Sequence, residues 1–363
     1  MKVATVFSGI GAPEYALKTF FPDKKVEIVF ACDCGETRRS LNPQEEKMLR
    51  GIKDQKIRQA KTKELYEKIR KCNRVKETYL ANNPEVREDQ WYDDIRFIDG
   101  KPYEGKVDLF IGGSPCQSFS LMGKRGGLDD VRGTLFYDYA RLIMEMKPKA
   151  FVYENVSGML AHDQGETWKK IQNIFQDLLG YRFYPMLLDS SKYGMPQRRK
   201  RLFVVGFRND ADSNFLPPPE VDLPFSADHF YEAYIPAKYF LKQKGFEFVT
   251  NPKYSGRASI NQAIIRTEKR NQQFNWNGNF VFVPKADLIS RPDVLNEAYF
   301  GNYHGIEGAI RKLTPRECTS LMGFGPDFKI CENDVDAYKQ AGNSIVVPTI
   351  AAVFRSMFDT GLL

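Results

Sequence analysis

The sequence predicts an α/β fold: an open, mostly parallel sheet with helices packed on it, joined to a smaller irregular domain. Three observations carry that expectation. Short apolar runs alternate with helical stretches from residue 2 to residue 207, which is the pattern of successive βα units. Several of these runs end in a glycine turn, a carboxylate or a cysteine, and the carboxyl ends of strands are where open α/β sheets bind ligands. After residue 208 the alternation stops and prolines, aromatics and short strand-like runs replace it.

Residues 2–7 form an apolar, β-branched strand, followed by Ser8-Gly9-Ile10-Gly11-Ala12-Pro13-Glu14 and a helical pattern from Tyr15. Strand, glycine turn and helix open a nucleotide-binding βαβ unit, and Pro13 suits a first helical turn. The glycines allow a ligand close to the backbone, although the same motif also serves as a tight turn without one. Residues 26–31 give a second strand ending at Cys32-Asp33. Asp33 either accepts ribose hydroxyls or caps the next helix.

The segment from Glu36 to Lys76 holds fourteen Lys and Arg against six Asp and Glu, a surplus of eight in a chain whose net charge is +7. Such a run is either a solvated helical face or a nucleic-acid contact. Its composition predicts an inserted helix or helical hairpin over 44–70, then a second helix over 73–83 stopped by Asn82-Asn83-Pro84. Asp94 at a third strand end either reads an adenine amino group or sits in an exposed turn.

Residues 107–111 form a buried strand that delivers Gly112-Gly113-Ser114-Pro115-Cys116-Gln117-Ser118-Phe119-Ser120. Pro115 removes a donor and holds Ser114 extended, so Cys116 stands on a strand-end loop. A thiol there is either a nucleophile or a small hydrophobe in a turn. The basic, glycine-rich stretch 122–128 is a lid over phosphate or a flexible loop. A helix over 135–146 leads to strand 150–153, which ends in Glu154-Asn155-Val156. Helix 168–179, strand 182–188, the basic run Gln197-Arg198-Arg199-Lys200-Arg201 and strand 202–207 complete the sheet.

Residues 209–224 carry four prolines and read as a linker. Beyond it, 246–249 and 280–283 are predicted strands. Residues 238–270 hold eight basic against two acidic residues, interleaved with Tyr239, Phe240, Phe246, Phe248 and Tyr254, a nucleic-acid surface or a solvated one. Thr314-Pro315-Arg316-Glu317 has the signature of a helix start, Gly323 that of its exit, and a last helix runs from about 346 to 358. No apolar run approaches the roughly 20 residues of a membrane span, and a strand so near residue 1 argues against a signal peptide. Six scattered cysteines predict a reducing cytoplasm and no metal site.

In chain order stand Phe-x-Gly-x-Gly, an acidic second-strand end, Asp-Ile, Pro-Cys-Gln, Glu-Asn-Val, Gln-x-Arg-x-Arg, Leu-Thr-Pro-Arg-Glu and Gln-x-Gly-Asn-Ser. The series resembles the DNA cytosine methyltransferases that act on carbon 5, of bacterial or phage type, over most of the chain outside the basic insert and the second domain. The resemblance implies a Rossmann-like S-adenosylmethionine-dependent methyltransferase fold with a mixed, mostly parallel sheet and a smaller irregular target-recognition domain. It implies a catalytic domain over 1–208 with the basic helical insert at about 36–72. A target-recognition domain and hinge over 209–331 follow, and a segment over 332–363 returns to the catalytic domain.

The family chemistry adds a thiolate to carbon 6 of cytosine, because carbon 5 alone is too poor a nucleophile for methylation. On the resemblance Cys116 is that thiolate. Glu154 bonds ring nitrogen 3, carrying or sharing a proton there. Arg199 is the cationic neighbour and Arg201 supports the site. S-adenosyl-L-methionine gives the methyl group and leaves as S-adenosyl-L-homocysteine; loss of the carbon-5 proton then expels the thiolate. The cofactor residues implied are Phe7, Gly9, Ile10, Gly11, Asp33, Asp94, Ile95, Pro115, Asn343 and Ser344. The target base is flipped out of double-stranded DNA, with Gln117, Ser120, Met122, Lys124, Arg125, Lys253 and Arg257 as DNA contacts.

Arg316 and Glu317 are expected to buttress the second domain. The expected protein is a cytoplasmic monomer of a bacterial cell, with prophage or phage encoding as an option, and with no membrane partner. A cognate restriction endonuclease would act on the same site without a stable complex.

Three departures from the family pattern stand out. Asp33 replaces a Glu, Ala12-Pro13 replaces a second glycine, and the basic insert is expected to project from the catalytic domain towards the DNA backbone. Rival readings are a transfer-RNA cytosine methyltransferase, disfavoured by the lack of Cys-Phe-Thr, a catalytically silent DNA-binding regulator, and an oxidoreductase, disfavoured by Glu14 where Gly-x-Gly-x-x-Gly needs glycine.

Overall fold

Seven strands organise the first of two compact units in a computed structural model that describes residues 1–37, 39–114, 135–208 and 214–363. They are β1 (Lys2–Val6), β2 (Glu27–Cys32), β3 (Trp91–Tyr92), β4 (Leu109–Gly112), β5 (Ala150–Val156), β6 (Tyr181–Asp189) and, after the two-residue β7 (Gln197–Arg198), β8 (Lys200–Arg208). The sheet order is β3-β2-β1-β4-β5-β8-β6. Neighbours from β3 through β5 are parallel, and β8 runs antiparallel to β5. The sheet is therefore mixed and mostly parallel, as expected.

Burial explains the arrangement. Val3, Ala4, Leu109, Phe110, Phe151 and Val152 have no exposure, as continuous apolar strands do when both sheet faces are covered. Aromatic rings fill much of this core, Phe110 stacking on Tyr139 at 4.8 Å and Phe151 lying 4.7 Å from Phe175. The buried hydroxyls are satisfied, that of Tyr139 donating to Val152 O and that of Tyr181 to Pro148 O. Pro185, which cannot donate to a ladder, sits in the edge strand β6. From β1 the order grows one way through β2 and β3, and the other way through β4 and β5. The carboxyl ends of β1 and β4 thus flank the switch point where such sheets bind ligands.

The helices of this unit are α1 (Ala12–Phe20), α2 (Pro43–Gly51), α3 (Gln55–Ile69), α4 (Arg74–Asn82), α5 (Leu135–Met146) and α6 (Glu166–Asn173). The basic insert is a pair of helices, α2 opened by an Asn42–Glu45 capping box and α3 by Asp54. Its apolar residues Leu41, Leu49, Leu65, Tyr66 and Ile69 pack with Phe97 in their own small core. The insert therefore has an inward apolar face as well as an outward basic one. The helix predicted over 168–179 is α6 continued by a π-helical turn, Ile174–Leu178.

The first unit comprises 1–188, 200–219 and 350–363, and the second 189–199 and 220–349. In the second unit, β9 (Ala258–Ile260), β11 (Gly278–Pro284), β12 (Gly301–Tyr303) and β13 (Ile306–Lys312) form a sheet ordered β12-β13-β11-β9, while β10 (Ile265–Arg266) pairs with β7. Its helices are α7 (Gln243–Thr250), α8 (Pro292–Glu297), α9 (Pro315–Ser320) and α10 (Asp334–Asn343); α11 (Val347–Asp359) crosses the boundary into the first unit.

The strand expected at 246–249 is part of α7. Gly245, Phe246 and Val249 are its buried residues, a helical spacing that a four-residue apolar run does not distinguish from a strand. Thr314 caps the helix as expected and forms a capping box with Glu317, whose carboxylate Arg311 grips at 2.7 and 2.9 Å in a fully buried pair. The stretch 334–359 has the length and hydropathy of a membrane span, but it consists of α10 and α11 with a break between them and is mostly buried inside the protein.

Candidate active site

The turn after β1 takes left-handed backbone at Phe7 (φ 54°), Gly9 (φ 54°) and Gly11 (φ 87°). For a bulky residue such as Phe7 that conformation is strained, and strain of this kind concentrates at functional sites. A Cβ on Gly11 would lie 3.0 Å from Asn83 Nδ2 and 3.2 Å from the Tyr79 ring, so α4 packs directly on the loop. A Cβ on Gly9 would meet nothing within 4 Å. Ile10 is buried.

Asp33, at the end of β2, ties to this turn. One carboxylate oxygen accepts from Gly9 N at 3.0 Å and the other from Gly35 N at 2.8 Å. Burial raises its pKa, and the two amide donors act in the opposite sense. Each oxygen keeps a second lone pair. Together with the open space over Gly9, this suits a hydroxylated ligand such as the ribose of S-adenosylmethionine.

Asp94 is differently placed. Its Oδ1 accepts from Arg96 N and Nε at 3.0 and 3.1 Å, and its Oδ2 from the Tyr66 hydroxyl at 2.6 Å and Arg96 Nη2 at 2.7 Å. A carboxylate offers about four lone-pair positions. With these donors Asp94 caps Ile95–Phe97 and anchors the insert, and it is buried rather than set in an exposed turn. Ile95 is buried, and its carbonyl accepts from Arg141 at 3.0 Å.

At the other side of the switch point, β4 and β5 run in parallel register, Gly112 beside Tyr153. Ser114 Oγ and the Tyr153 hydroxyl share a 2.8 Å hydrogen bond, and Asn155 Nδ2 donates to Ser114 O at 2.9 Å. The two residues preceding Pro115 are thereby fixed against the strand that carries Glu154. A Cβ on Gly113 would approach Glu154 O to 2.6 Å and Glu154 Oε2 to 3.0 Å, so only glycine fits there. Arg201 Nε pairs with Glu154 Oε1 at 3.1 Å. Pro115, Cys116, Gln117, Ser120, Met122, Lys124 and Arg125 lie outside the described residues.

Arg199 belongs to the second unit and is 2% exposed. Its Nη1 donates to Glu268 O at 2.6 Å and its Nη2 to Gly342 O and Ser344 O at 3.0 and 2.7 Å. Arg201 is thus a cation beside Glu154 within the first unit, and the guanidinium of Arg199 braces backbone within the second. Glu268, which the sequence did not single out, is wholly buried. Desolvation pushes its carboxyl up to about 8, against the Cys318 thiol and the Arg199 charge. Asn343 ends α10 and is exposed, whereas Ser344 is buried.

Arg199→Met is expected to lower the unfolding free energy by about 3–5 kcal/mol, because three buried carbonyls lose their donor. Thermal unfolding followed by circular dichroism checks this. A variant that melts like the parent yet has lost turnover would return Arg199 to the chemistry.

Lys253 and Arg257 are exposed beside an aromatic platform. Phe248 and Tyr254 stack at 4.0 Å, Arg257 lies 5.6 Å from the Phe248 ring, and Lys253 lies 6.0 Å from that of Tyr254.

The model of the family described as C-5 cytosine-specific DNA methylase matches residues 47–359. The Type II methyltransferase M.HpaII of Haemophilus parainfluenzae is 33% identical over 307 residues, covering 78% of this chain and 80% of that protein. The Type II methyltransferase M.HhaI of Haemophilus parahaemolyticus is 32% identical over 248 residues, 66% of this chain and 72% of its own. Among solved structures, the Entamoeba histolytica methyltransferase EhMeth matches with a TM-score of 0.67 at 18% identity, over 99% of this chain and 98% of its own. A variant of Spodoptera frugiperda DNMT2 has the same TM-score and identity over 98% of this chain and 99% of its own. At such identity the likeness is one of fold.

Proposed function

We infer that this chain, which belongs to the C-5 cytosine-specific DNA methylase family, attacks carbon 6 of a flipped cytosine through Cys116 while Glu154 engages ring nitrogen 3. It is a DNA (cytosine-5-)-methyltransferase. S-adenosyl-L-methionine, the cofactor of the family, supplies the methyl group when bound. The observation that carries the site assignment is the junction of β4 and β5. Gly113 and Ser114, which lead into Cys116, are locked against the strand of Glu154, and Arg201 holds the Glu154 carboxylate. Phe7, Gly9, Ile10, Gly11 and Asp33 form the cofactor side in this reading. Asp33 takes ribose hydroxyls with the lone pairs left to it.

The second unit reads flanking bases, and its exposed Lys253 and Arg257 with the Phe248–Tyr254 stack supply a phosphate- and base-contacting face. The exposed basic face of α2 and α3 adds a contact to the DNA backbone. The proposed setting is a bacterial cytoplasm, with the enzyme acting as a monomer and a cognate restriction endonuclease sharing its site. Methyl transfer from labelled S-adenosylmethionine to hypomethylated genomic DNA and to transfer RNA tests the reading. Label is expected in DNA; label in RNA alone would overturn it.

A further inference from the structure

We propose that Arg70, at the end of the basic insert, is a positioning residue for the cofactor side of the site. Its guanidinium joins two strand-end loops. Nη1 donates to Cys34 O, in the loop after β2, at 2.6 Å, and Nη2 pairs with Asp93 after β3. Both side chains of the ion pair are 5% exposed, so the link is shielded from water and little weakened by salt. Asn73 adds a second tie, donating from Nδ2 to Asp33 O at 3.1 Å. Four residues before Arg70 in α3, Tyr66 holds Asp94, and the Arg70 guanidinium lies over its ring at 5.2 Å.

The loop thus restrained is the one that places Asp33. Its carboxylate is aimed by Gly9 N and Gly35 N, and Gly35 directly follows the carbonyl that Arg70 grips. A carboxylate that must meet ribose hydroxyls gains from being held before the ligand arrives, because the ordering cost is then already met. The insert, read from composition as a DNA-facing appendage, is in this view part of the cofactor wall. The inference rests on the reading of Asp33 as the ribose contact. Arg70, Asn73 and Asp93 also line a cavity of about 420 Å³, so water can enter the space left by a shorter side chain.

The test is calorimetric titration of S-adenosylhomocysteine into the full-length protein. Arg70→Gln is expected to weaken binding about tenfold, the scale of one well-placed hydrogen bond to a charged group. Arg70→Lys, which keeps the charge against Asp93 but not both donors, should fall between it and the parent. Glu64→Gln removes only the surface pairs to Lys61 and Lys68 and should bind like the parent. At saturating S-adenosylmethionine, kcat on hypomethylated genomic DNA should stay within about twofold for Arg70→Lys, which separates positioning from general damage. If Asp33→Asn weakens binding and both Arg70 variants bind like the parent, Arg70 has no positioning role and the reading of Asp33 stands. If Asp33→Asn itself binds like the parent, that reading fails and the inference with it. Should Arg70→Gln not fold, Arg70→Lys alone decides, parent-like affinity overturning the proposal.

Discussion

Cys116→Ser is expected to lower the rate of methyl transfer by at least about 10³-fold while leaving S-adenosylhomocysteine binding within twofold of the parent. The reason lies in the attacking atom. A thiol with an ordinary pKa of about 8.5 reaches its anion within the working range of an enzyme, and sulfur both adds to carbon 6 and leaves again. A serine hydroxyl at the same place is neutral, harder and a poor leaving group once bonded to the ring. The structure adds a reason to expect a clean variant. The chain enters this position from Gly113 and Ser114, whose contacts with Tyr153 and Asn155 do not involve the sulfur, and the turns at Gly9 and Asp33 are formed by other strands. Turnover by Cys116→Ser within tenfold of the parent, measured with labelled cofactor on duplex DNA, would falsify the covalent reading.

Much of this site was legible because the chemistry of a parallel sheet concentrates at its strand ends. Residues 2–7, 26–31, 107–111 and 150–153 could each be read as strands from apolar runs, and the residues after them were the candidates. Register was not legible. Arg199 and Arg201 stand two apart in one basic run, and nothing local says which faces Glu154. The structure does: β5 and β8 are antiparallel, with Glu154 opposite Phe203 and Val156 opposite Arg201. Arg201 is therefore the diagonal neighbour of Glu154 on the same sheet face, within reach of a long side chain. Arg199 precedes β8 and belongs to the second unit.

The two faces of the insert were hidden for a related reason. Fourteen basic residues in 41 positions look alike in sequence, and only the fold shows that Arg70 turns inward while Lys63 and Lys68 remain exposed. Phe246 to Val249 was misread because four residues are too few to tell a period of two from one of 3.6.

Glu154→Gln is the second large effect, an expected loss of about 10²–10³-fold in kcat, comparable to removing one preorganised transition-state hydrogen bond. Glutamine has nearly the shape of glutamate, so the tight approach of Gly113 to Oε2 and the backbone of β5 should survive. An amide can also pair with the base edge in the ground state, donating to ring nitrogen 3 and accepting from the exocyclic amine. What it cannot do is transfer a proton to nitrogen 3 as thiolate attack pushes charge there. The loss should therefore appear in kcat, with KM for DNA nearly unchanged.

Arg201→Met separates orientation from proton transfer. It removes the 3.1 Å partner of Glu154 but leaves the carboxyl group, so it should cost less than Glu154→Gln. The double variant should cost little more than Glu154→Gln alone, because both changes act through one carboxylate. Steady-state rates for the three variants decide it. Multiplicative losses would mean that Arg201 contacts the substrate independently, and a Glu154→Gln enzyme with parental kcat would remove Glu154 from the chemistry.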